Sequence, residues 1–179
     1  MKYFYLITLF FFLFACVDLK KSSQIETIQR ISKSLDSMQI VLHQHPIDIV
    51  KEQEQIYFKL EQKIRKNVDV SDTINLDFGK KLDEIKFMRE KFQPLEIVYK
   101  QLGKDIKNEA KILKNLKLDI SKSNGERGEY QKNLDFELEK FSKLKVQLED
   151  YTNTRKDIIT IFNQNKQEFE NFVNSLENN

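Results

Sequence analysis

Cysteine and histidine, the residues that most often act as nucleophile and transition-metal ligand, are rare in this 179-residue chain, and Cys16 is its one cysteine. The two histidines, His43 and His45, stand two residues apart. On a helix they would point about 200° apart, whereas a metal-binding pair needs a spacing of three or four residues. The many carboxylates alternate with lysines, as in Lys51-Glu52, which is typical of solvated helix faces. With no P-loop, dinucleotide fingerprint or nucleophile elbow present, we expect no enzyme activity, no metal site and no small-molecule substrate.

The residues before Cys16 suggest a different chemistry for its thiol. All thirteen residues from Tyr3 to Ala15 are apolar or aromatic except Thr8, and they follow Lys2. The stretch has the length of a signal-peptide core and falls short of the ~20 residues of a membrane-spanning helix. Its end, Leu13-Phe14-Ala15-Cys16, resembles a bacterial lipobox, in which a small residue precedes the cleavage site and the cysteine carries lipid.

The lipobox resemblance implies a processed lipoprotein. Residues 1–15 would be a signal peptide removed by cleavage between Ala15 and Cys16. The Cys16 thiol would carry a diacylglycerol, and its freed amine would carry a further acyl chain such as palmitate. Two or three acyl chains anchor a protein stably, so we expect a membrane anchor on Cys16 and no other cofactor.

The position after the cysteine bears on where such a lipoprotein would reside. An Asp there resembles the inner-membrane retention signal of proteobacteria, but this chain has Val17. We therefore expect a lipid-anchored protein of the bacterial cell envelope, with the outer membrane favoured, on its periplasmic or its surface face. The 30 basic and 28 acidic side chains nearly balance, which speaks against a nucleic-acid partner.

The rest of the chain has the composition of long helices, with 32% charged residues, four glycines and two prolines. Apolar residues recur at alternating steps of three and four in three runs. They predict an all-α fold: an elongated antiparallel three-helix bundle, a coiled-coil-like rod with up-down-up topology. We expect a lipidated tether at 16–22 and one domain at 23–179, with helices at about 23–67, 73–122 and 127–177.

The apolar runs also predict the core. In the three predicted helices the core residues are, in order, Ile28, Ile31, Leu35, Met38, Leu42, Val50, Tyr57, Leu60 and Ile64; Ile85, Met88, Phe92, Leu95, Tyr99, Leu102, Ile106, Leu113, Leu116 and Ile120; and Tyr130, Leu134, Phe141, Leu144, Leu148, Tyr151, Ile158, Phe162, Phe169, Phe172 and Leu176. Glu109 alone interrupts the second run, and Arg155 occupies a core-spaced position in the third. The segment 123–128, with two glycines able to adopt positive φ, predicts the second turn.

The two prolines, Pro46 and Pro94, would fall inside the predicted helices. A proline in a helix interior costs about 3 kcal/mol and kinks or breaks the helix. In the antiparallel pairing the two prolines stand almost level with each other and with residue 156. We therefore predict a bent or loosened waist near Pro46 and Pro94.

Beyond the lipobox, the chain resembles the small helical lipoproteins common in Bacteroidetes, whose activity is not assigned. The resemblance rests on Leu35-Asp36-Ser37 after the cysteine and on the Asn124-Gly125 turn between long helices. Spirochaete surface lipoproteins share the same composition and are the second choice. The resemblance implies no activity.

These observations predict a lipid-anchored, non-enzymatic envelope protein whose rod serves as an interaction or spacer module for a protein partner. The partner surface would lie at the waist or at the far tip, formed by residues 68–77 and 172–179. Phe87, Phe136 and Arg155 are the candidate contact residues. The alternatives are a self-assembling structural coiled coil, an envelope chaperone or regulator of a cell-wall enzyme, and a surface lipoprotein that binds a host factor.

Overall fold

The computed structural model describes the backbone of residues 2–67 and 76–177. Side chains are described from residue 20 onward within these ranges, except at positions 67, 76–78, 81, 88, 176 and 177. The predicted turn at 68–73 and most of the predicted tip therefore lie outside the described residues.

All secondary structure in the described residues is α-helical, in four helices. They are α1 (Lys2–Gln44), α2 (Asp48–Asn67), α3 (Leu76–Lys122) and α4 (Glu129–Glu177). Long amphipathic helices packed on one another form an all-α bundle, which confirms the predicted fold class. The number of helices differs from the prediction, because the first predicted helix, 23–67, is divided into α1 and α2.

The division between α1 and α2, residues 45–47, lies at Pro46. The proline lacks an amide hydrogen and its ring displaces the preceding turn, so α1 cannot continue through it. α1 ends in a tighter turn, in which the His45 N–H donates to the Leu42 carbonyl at 3.3 Å. The Ile47 carbonyl then accepts the first bond of α2, from the Lys51 N–H at 3.1 Å.

Pro94 behaves differently from Pro46, because α3 runs through it without interruption. The helix predicted at about 73–122 also includes Pro94, and the sequence predicts only a bend or loosening there. Pro94 is exposed, as is Glu90 one turn earlier, whose carbonyl the proline deprives of its helical partner. An exposed carbonyl can bind water instead, which explains why α3 tolerates the proline.

The chain divides into two compact units, unit 1 and unit 2. Unit 1 comprises residues 1–41 and 103–146, and unit 2 comprises residues 42–102 and 147–179. In unit 1, α3 and α4 are antiparallel, since Asp119 contacts Tyr130 whereas Glu109 contacts Lys140. The buried apolar side chains of unit 1 are Ile28, Ile31, Leu35, Met38, Ile106, Leu113, Leu116, Ile120, Tyr130, Leu134 and Leu144.

Unit 2 packs α2, α3 and the second half of α4 together. The ion pairs Lys51–Glu96 and Glu61–Arg89, both 2.7 Å, make α2 and α3 antiparallel. The core of unit 2 comprises Leu42, Ile47, Val50, Tyr57, Ile64, Ile85, Phe92, Leu95, Leu102, Leu148, Tyr151, Ile158, Phe162, Phe169 and Val173.

The apolar periodicity therefore predicts most of both cores. Among the predicted core residues Leu60, Tyr99 and Phe141 are only half-buried, the side chains of Met88 and Leu176 lie outside the described residues, and Ile47 is an additional core residue. The core position also differs near the end of α4. Phe172 is only half-buried, and Val173, four residues after Phe169, takes the core position with 2% of its surface exposed.

A turn in unit 1 connects α3 to α4, and its first residue, Ser123, has a left-handed φ of 56°. The Ser123 N–H donates to the Ile120 carbonyl at 3.2 Å, and the Asn124 N–H donates to the Asp119 carbonyl at 2.9 Å. These two bonds form a Schellman motif, which satisfies the last carbonyls of a helix through the main chain.

Two positions in this turn have positive φ, as the sequence predicts, but they are not its two glycines. Gly125 has a φ of 84°, and the other position is Ser123 rather than Gly128. The Tyr130 hydroxyl donates to the Asn124 carbonyl and so fixes the turn against the first residues of α4.

Candidate functional site

Side chains of α4 donate hydrogen bonds to the main chain at the helix break in unit 2, residues 45–47. The Tyr151 hydroxyl donates to the His45 carbonyl at 2.6 Å, and the Arg155 Nε donates to the Pro46 carbonyl at 2.9 Å. Tyr151 and Arg155 are four residues apart and therefore lie on the same face of α4. Together they give hydrogen bonds to two carbonyls that the break leaves without helical partners.

Both side chains are buried in order to reach the break. Tyr151 is 1% exposed and Arg155 is 8% exposed. Burial raises the pKa of the Tyr151 hydroxyl, an effect that the Arg155 charge opposes. The hydroxyl therefore stays protonated and can donate throughout the physiological pH range. The Tyr99 ring packs on Tyr151, with 5.6 Å between ring centroids, and holds it in place.

A cleft of about 320 Å³ lies in unit 2 between α3 and α4, beside Pro94. Pro94, Leu95, Leu102 and Tyr151 contribute to its apolar walls, and Asp150 is among its polar lining residues. Its volume lies at the lower end of the range of small-ligand pockets, about 300–1,000 Å³. The cleft is large enough to receive a side chain of another molecule.

Unit 1 contains a buried ionisable cluster of a different kind. Glu109 of α3 is 2% exposed, and its Oε2 lies 3.0 Å from the Lys140 Nζ. The same Nζ donates to the Glu137 Oε2 at 2.6 Å. The Glu109 Oε1 has no hydrogen-bond partner among the described residues. Two carboxyls therefore share one lysine within the core of a helical bundle.

This arrangement changes the proton affinity of Glu109. Burial, reinforced by the neighbouring Glu137, raises the pKa of Glu109 to about 7, and Lys140 only partly opposes the shift. A buried carboxyl whose pKa lies near neutrality has the property of a general acid or base. Glu109, Glu137 and Lys140 are not among the residues that line the cleft beside Pro94, and we interpret the cluster as a polar interruption of the core.

The predicted contact residues occupy different environments. Phe87 in unit 2 is 56% exposed, with the Lys91 Nζ 5.1 Å from its ring centroid. Phe136 in unit 1 is 59% exposed, with the Lys140 Nζ 5.3 Å from its ring centroid. Arg155 is buried at the break. The two phenylalanines stay candidates for partner contact, whereas Arg155 acts within the chain.

For the predicted lipid-attachment site the structure describes the backbone but not the side chains. Ala15 and Cys16 belong to α1, and their side chains lie outside the described residues. His43 is exposed and His45 is half-buried, and no group of three or more potential metal-ligating side chains occurs in the described part of the chain. Within the same residues, no helix combines the length and hydropathy needed to cross a membrane.

Sequence reasoning missed three groups at these sites. Glu137 follows the core residue Leu134 by three positions, so its spacing could have identified it as a buried partner of Glu109. Tyr151 was expected as an apolar core residue, and its hydrogen bond to the break has no local signal. Tyr57 was likewise expected as a core residue, and no local signal shows that its buried hydroxyl has no partner among the described residues.

No protein-family model, curated protein or solved structure matches this chain.

Proposed function

We propose that the chain is a lipid-anchored, non-enzymatic protein of the bacterial cell envelope that holds a helical interaction module at the membrane. One observation carries the proposal: the single cysteine of the chain directly follows an apolar segment of signal-peptide length and a small residue, Ala15. The thiol of Cys16 would receive the lipid, and the helices after it would form the module.

The chemistry of the described surface supports an interaction role. Large apolar side chains are exposed in both units, among them Ile97 at 61% and Val98 at 37%, on the part of α3 that follows Pro94. Val98 also lines the cleft beside Pro94. We assign the partner surface to this cleft and its margin, where a protein partner would insert an apolar side chain between α3 and α4. An apolar cleft with exposed apolar side chains at its margin suits insertion of a partner side chain.

The anchor is tested by metabolic labelling of the full chain in a Gram-negative host with an alkyne analogue of palmitate. We expect the wild-type chain to incorporate the label and to fractionate with membranes. The variant Cys16→Ser should incorporate none and retain its signal peptide, which shows as a larger mass. Ser22→Ala, a substitution in the predicted tether, is the matched control and should behave as wild type.

Equal labelling of the wild type and the Cys16→Ser variant would contradict the anchor. So would a wild-type chain that keeps residues 1–15 and incorporates no label. Adding an inhibitor of the lipoprotein signal peptidase separates lipid attachment from cleavage. The inhibited wild type should carry the label and still contain residues 1–15.

A further inference from the structure

A cleft of about 310 Å³ lies in unit 1, between α1 and the turn that connects α3 to α4. Its volume is at the lower end of the range of small-ligand sites, about 300–1,000 Å³. The buried side chains of Ile120 and Tyr130 contribute its apolar part. Its polar part includes the side chains of Lys20, Lys21, Ser123 and Arg127.

The charge of this cleft is positive throughout. Among the described residues, three of the lining side chains are cations and none is a carboxylate. Glu126 and Glu129 are exposed nearby but do not line the cleft, and Glu129 pairs with Lys132 at 3.2 Å. The side chains of Lys20 and Arg127 have no ion pair or hydrogen bond to another described residue. A cleft lined by charge of one sign concentrates the opposite ion, so this cleft favours an anion.

Two hydrogen-bond donors of the cleft are held in place by the turn. The Lys21 Nζ donates to the Ser121 carbonyl at 2.8 Å and to the Ser123 Oγ at 3.4 Å. An ammonium group has three donors, so one N–H of Lys21 is left for a ligand. The Ser123 hydroxyl accepts from Lys21 and therefore keeps its own hydrogen for another acceptor.

The donors and charges together match a phosphate better than a carboxylate. A phosphate ester presents three strong acceptor oxygens and a charge of about −1.5 to −2, whereas a carboxylate has two oxygens and a single charge. Arginine, supplied here by Arg127, binds phosphate with two parallel hydrogen bonds. Three cations and a hydroxyl in one cleft can serve all three phosphate oxygens.

We propose that this cleft binds a phosphate ester. The phosphate oxygens would accept from Lys21 and Ser123, and the charges of Lys20 and Arg127 would offset that of the phosphate. The carbon portion of the ester would lie against the apolar part of the cleft. The site goes beyond the proposed protein-binding role, and it departs from the expectation that no small molecule is involved.

Two sources of ligand share this chemistry, the headgroup of an anionic phospholipid and a free phosphate ester. Lys20 follows Cys16 by four residues within α1, which is about 6 Å along the helix axis at ~1.5 Å per residue. A lipid on Cys16 would therefore bring the cleft to the level of the headgroups. The phospholipid source rests on the proposed anchor, whereas the free ester does not.

The test is a calorimetric titration of the purified full chain, in micelles of a neutral detergent and without phosphate buffer, with glycerol 3-phosphate. We expect saturable binding to the wild type. Arg127→Gln and Lys20→Gln should each weaken it about tenfold, since each removes a charged hydrogen-bonding group. Both should melt at the wild-type temperature, because neither side chain has a described partner to lose.

Lys122→Gln is the matched control, because Lys122 is exposed beside the same turn and does not line the cleft. It should bind as the wild type does. Three results would overturn the proposal: no saturable wild-type binding, equal affinities of the wild type, Arg127→Gln and Lys20→Gln, or an equal loss in Lys122→Gln. The last result would mean that general positive charge, rather than the cleft, attracts the anion.

The variant Cys16→Ser separates the cleft from the anchor. In the same micelles it should bind glycerol 3-phosphate as the wild type does, even though it carries no lipid. Failure of the anchor would appear in the labelling experiment and leave this titration unchanged, whereas failure of the cleft would appear in the titration alone.

Reconstitution into nanodiscs distinguishes the two sources of the ligand. The titration is repeated in phosphatidylcholine nanodiscs that contain either phosphatidylglycerol or an equal fraction of oleate, an anion without phosphate. Loss of glycerol 3-phosphate binding with phosphatidylglycerol alone identifies a phospholipid headgroup as the occupant. Binding that is retained, or weakened equally by both anions, identifies a free phosphate ester. Both results support the site and differ only in where its ligand comes from.

Discussion

Unit 1 and unit 2 both bury charged side chains in a helical core, but for opposite reasons. In unit 2, Arg155 gives a hydrogen bond to a carbonyl that the helix break would otherwise leave unpaired. In unit 1, Glu109 interrupts the run of apolar core residues on α3, although the helix itself is unbroken. One of its own oxygens has no partner among the described residues. A charged residue at a core position can therefore satisfy an unpaired backbone carbonyl or introduce an unpaired side-chain oxygen, and the main chain around it decides which.

The two units also satisfy their backbone irregularities by different means. The break in unit 2 depends on side chains from α4, whereas the turn in unit 1 combines main-chain hydrogen bonds at Ser123 and Asn124 with one from the Tyr130 hydroxyl. Because the main chain supplies part of the support for the turn, substitutions of side chains should affect the break more strongly.

The largest expected effect is at the break. Arg155→Ala removes the bond to the Pro46 carbonyl and the packing of the buried arginine stem. The free energy of unfolding should fall by about 3 kcal/mol. Chemical denaturation of the purified variant measures it. The exposed neighbour Lys156→Ala is the control, and a loss no greater than that of the control would show that the break needs no support from Arg155.

The opposite sign is expected at Glu109 in unit 1. Glu109→Leu places an aliphatic side chain in the core and leaves Glu137 paired with Lys140. At pH 8 the free energy of unfolding should rise by about 1–3 kcal/mol, as found when buried ion pairs are replaced by apolar residues. Glu139→Leu, which alters an exposed pair with Lys143, should have little effect. A destabilised Glu109→Leu variant would mean that the cluster stabilises unit 1.

The pH dependence of stability tests the same cluster without changing its packing. The pKa of Glu109 rises from 4.5 to about 7 on folding, so between these pH values the folded chain holds a proton that the unfolded chain has lost. This contribution to stability is present in full below pH 4.5 and is lost as the pH rises to about 7. The loss should be at most about 3 kcal/mol, because each unit of pKa shift corresponds to ~1.4 kcal/mol.

The neutral variant Glu109→Gln should lack this part of the pH dependence. Denaturation curves at pH 5 and pH 8 for the wild type and the variant provide the comparison. Identical differences between the two pH values in both proteins would exclude Glu109 as the titrating group.

The smallest expected effect is at the turn of unit 1. Ser123 has a left-handed φ, which glycine adopts without the steric cost that a Cβ atom imposes. Ser123→Gly should stabilise the chain by about 0.5–1 kcal/mol, visible as a higher melting temperature. Lys122→Gly, one residue earlier within α3, should instead destabilise it by about 1 kcal/mol. Two changes of the same sign would contradict the assigned turn geometry.

The sequence predicts the helices and cores well because apolar spacing directly reflects which helix face is buried. It also predicts the interruption near Pro46 and the core position of Arg155. It predicts a helix across Pro94 but cannot show what makes the proline tolerable there, because this depends on whether the freed carbonyl faces solvent. The cluster around Glu109 depends equally on side chains brought together from different helices.

The central claim is that an anchored module binds a protein partner through unit 2, and site-specific photocrosslinking of the full chain in living cells tests it most directly. A photoreactive residue at Val98, beside the cleft in unit 2, is compared with one at Val146, which is 56% exposed in unit 1. We expect one reproducible envelope protein to crosslink to position 98 and not to position 146. Crosslinks from position 146 alone, crosslinks at both positions only to a second copy of the chain, or none at either position would contradict the claim.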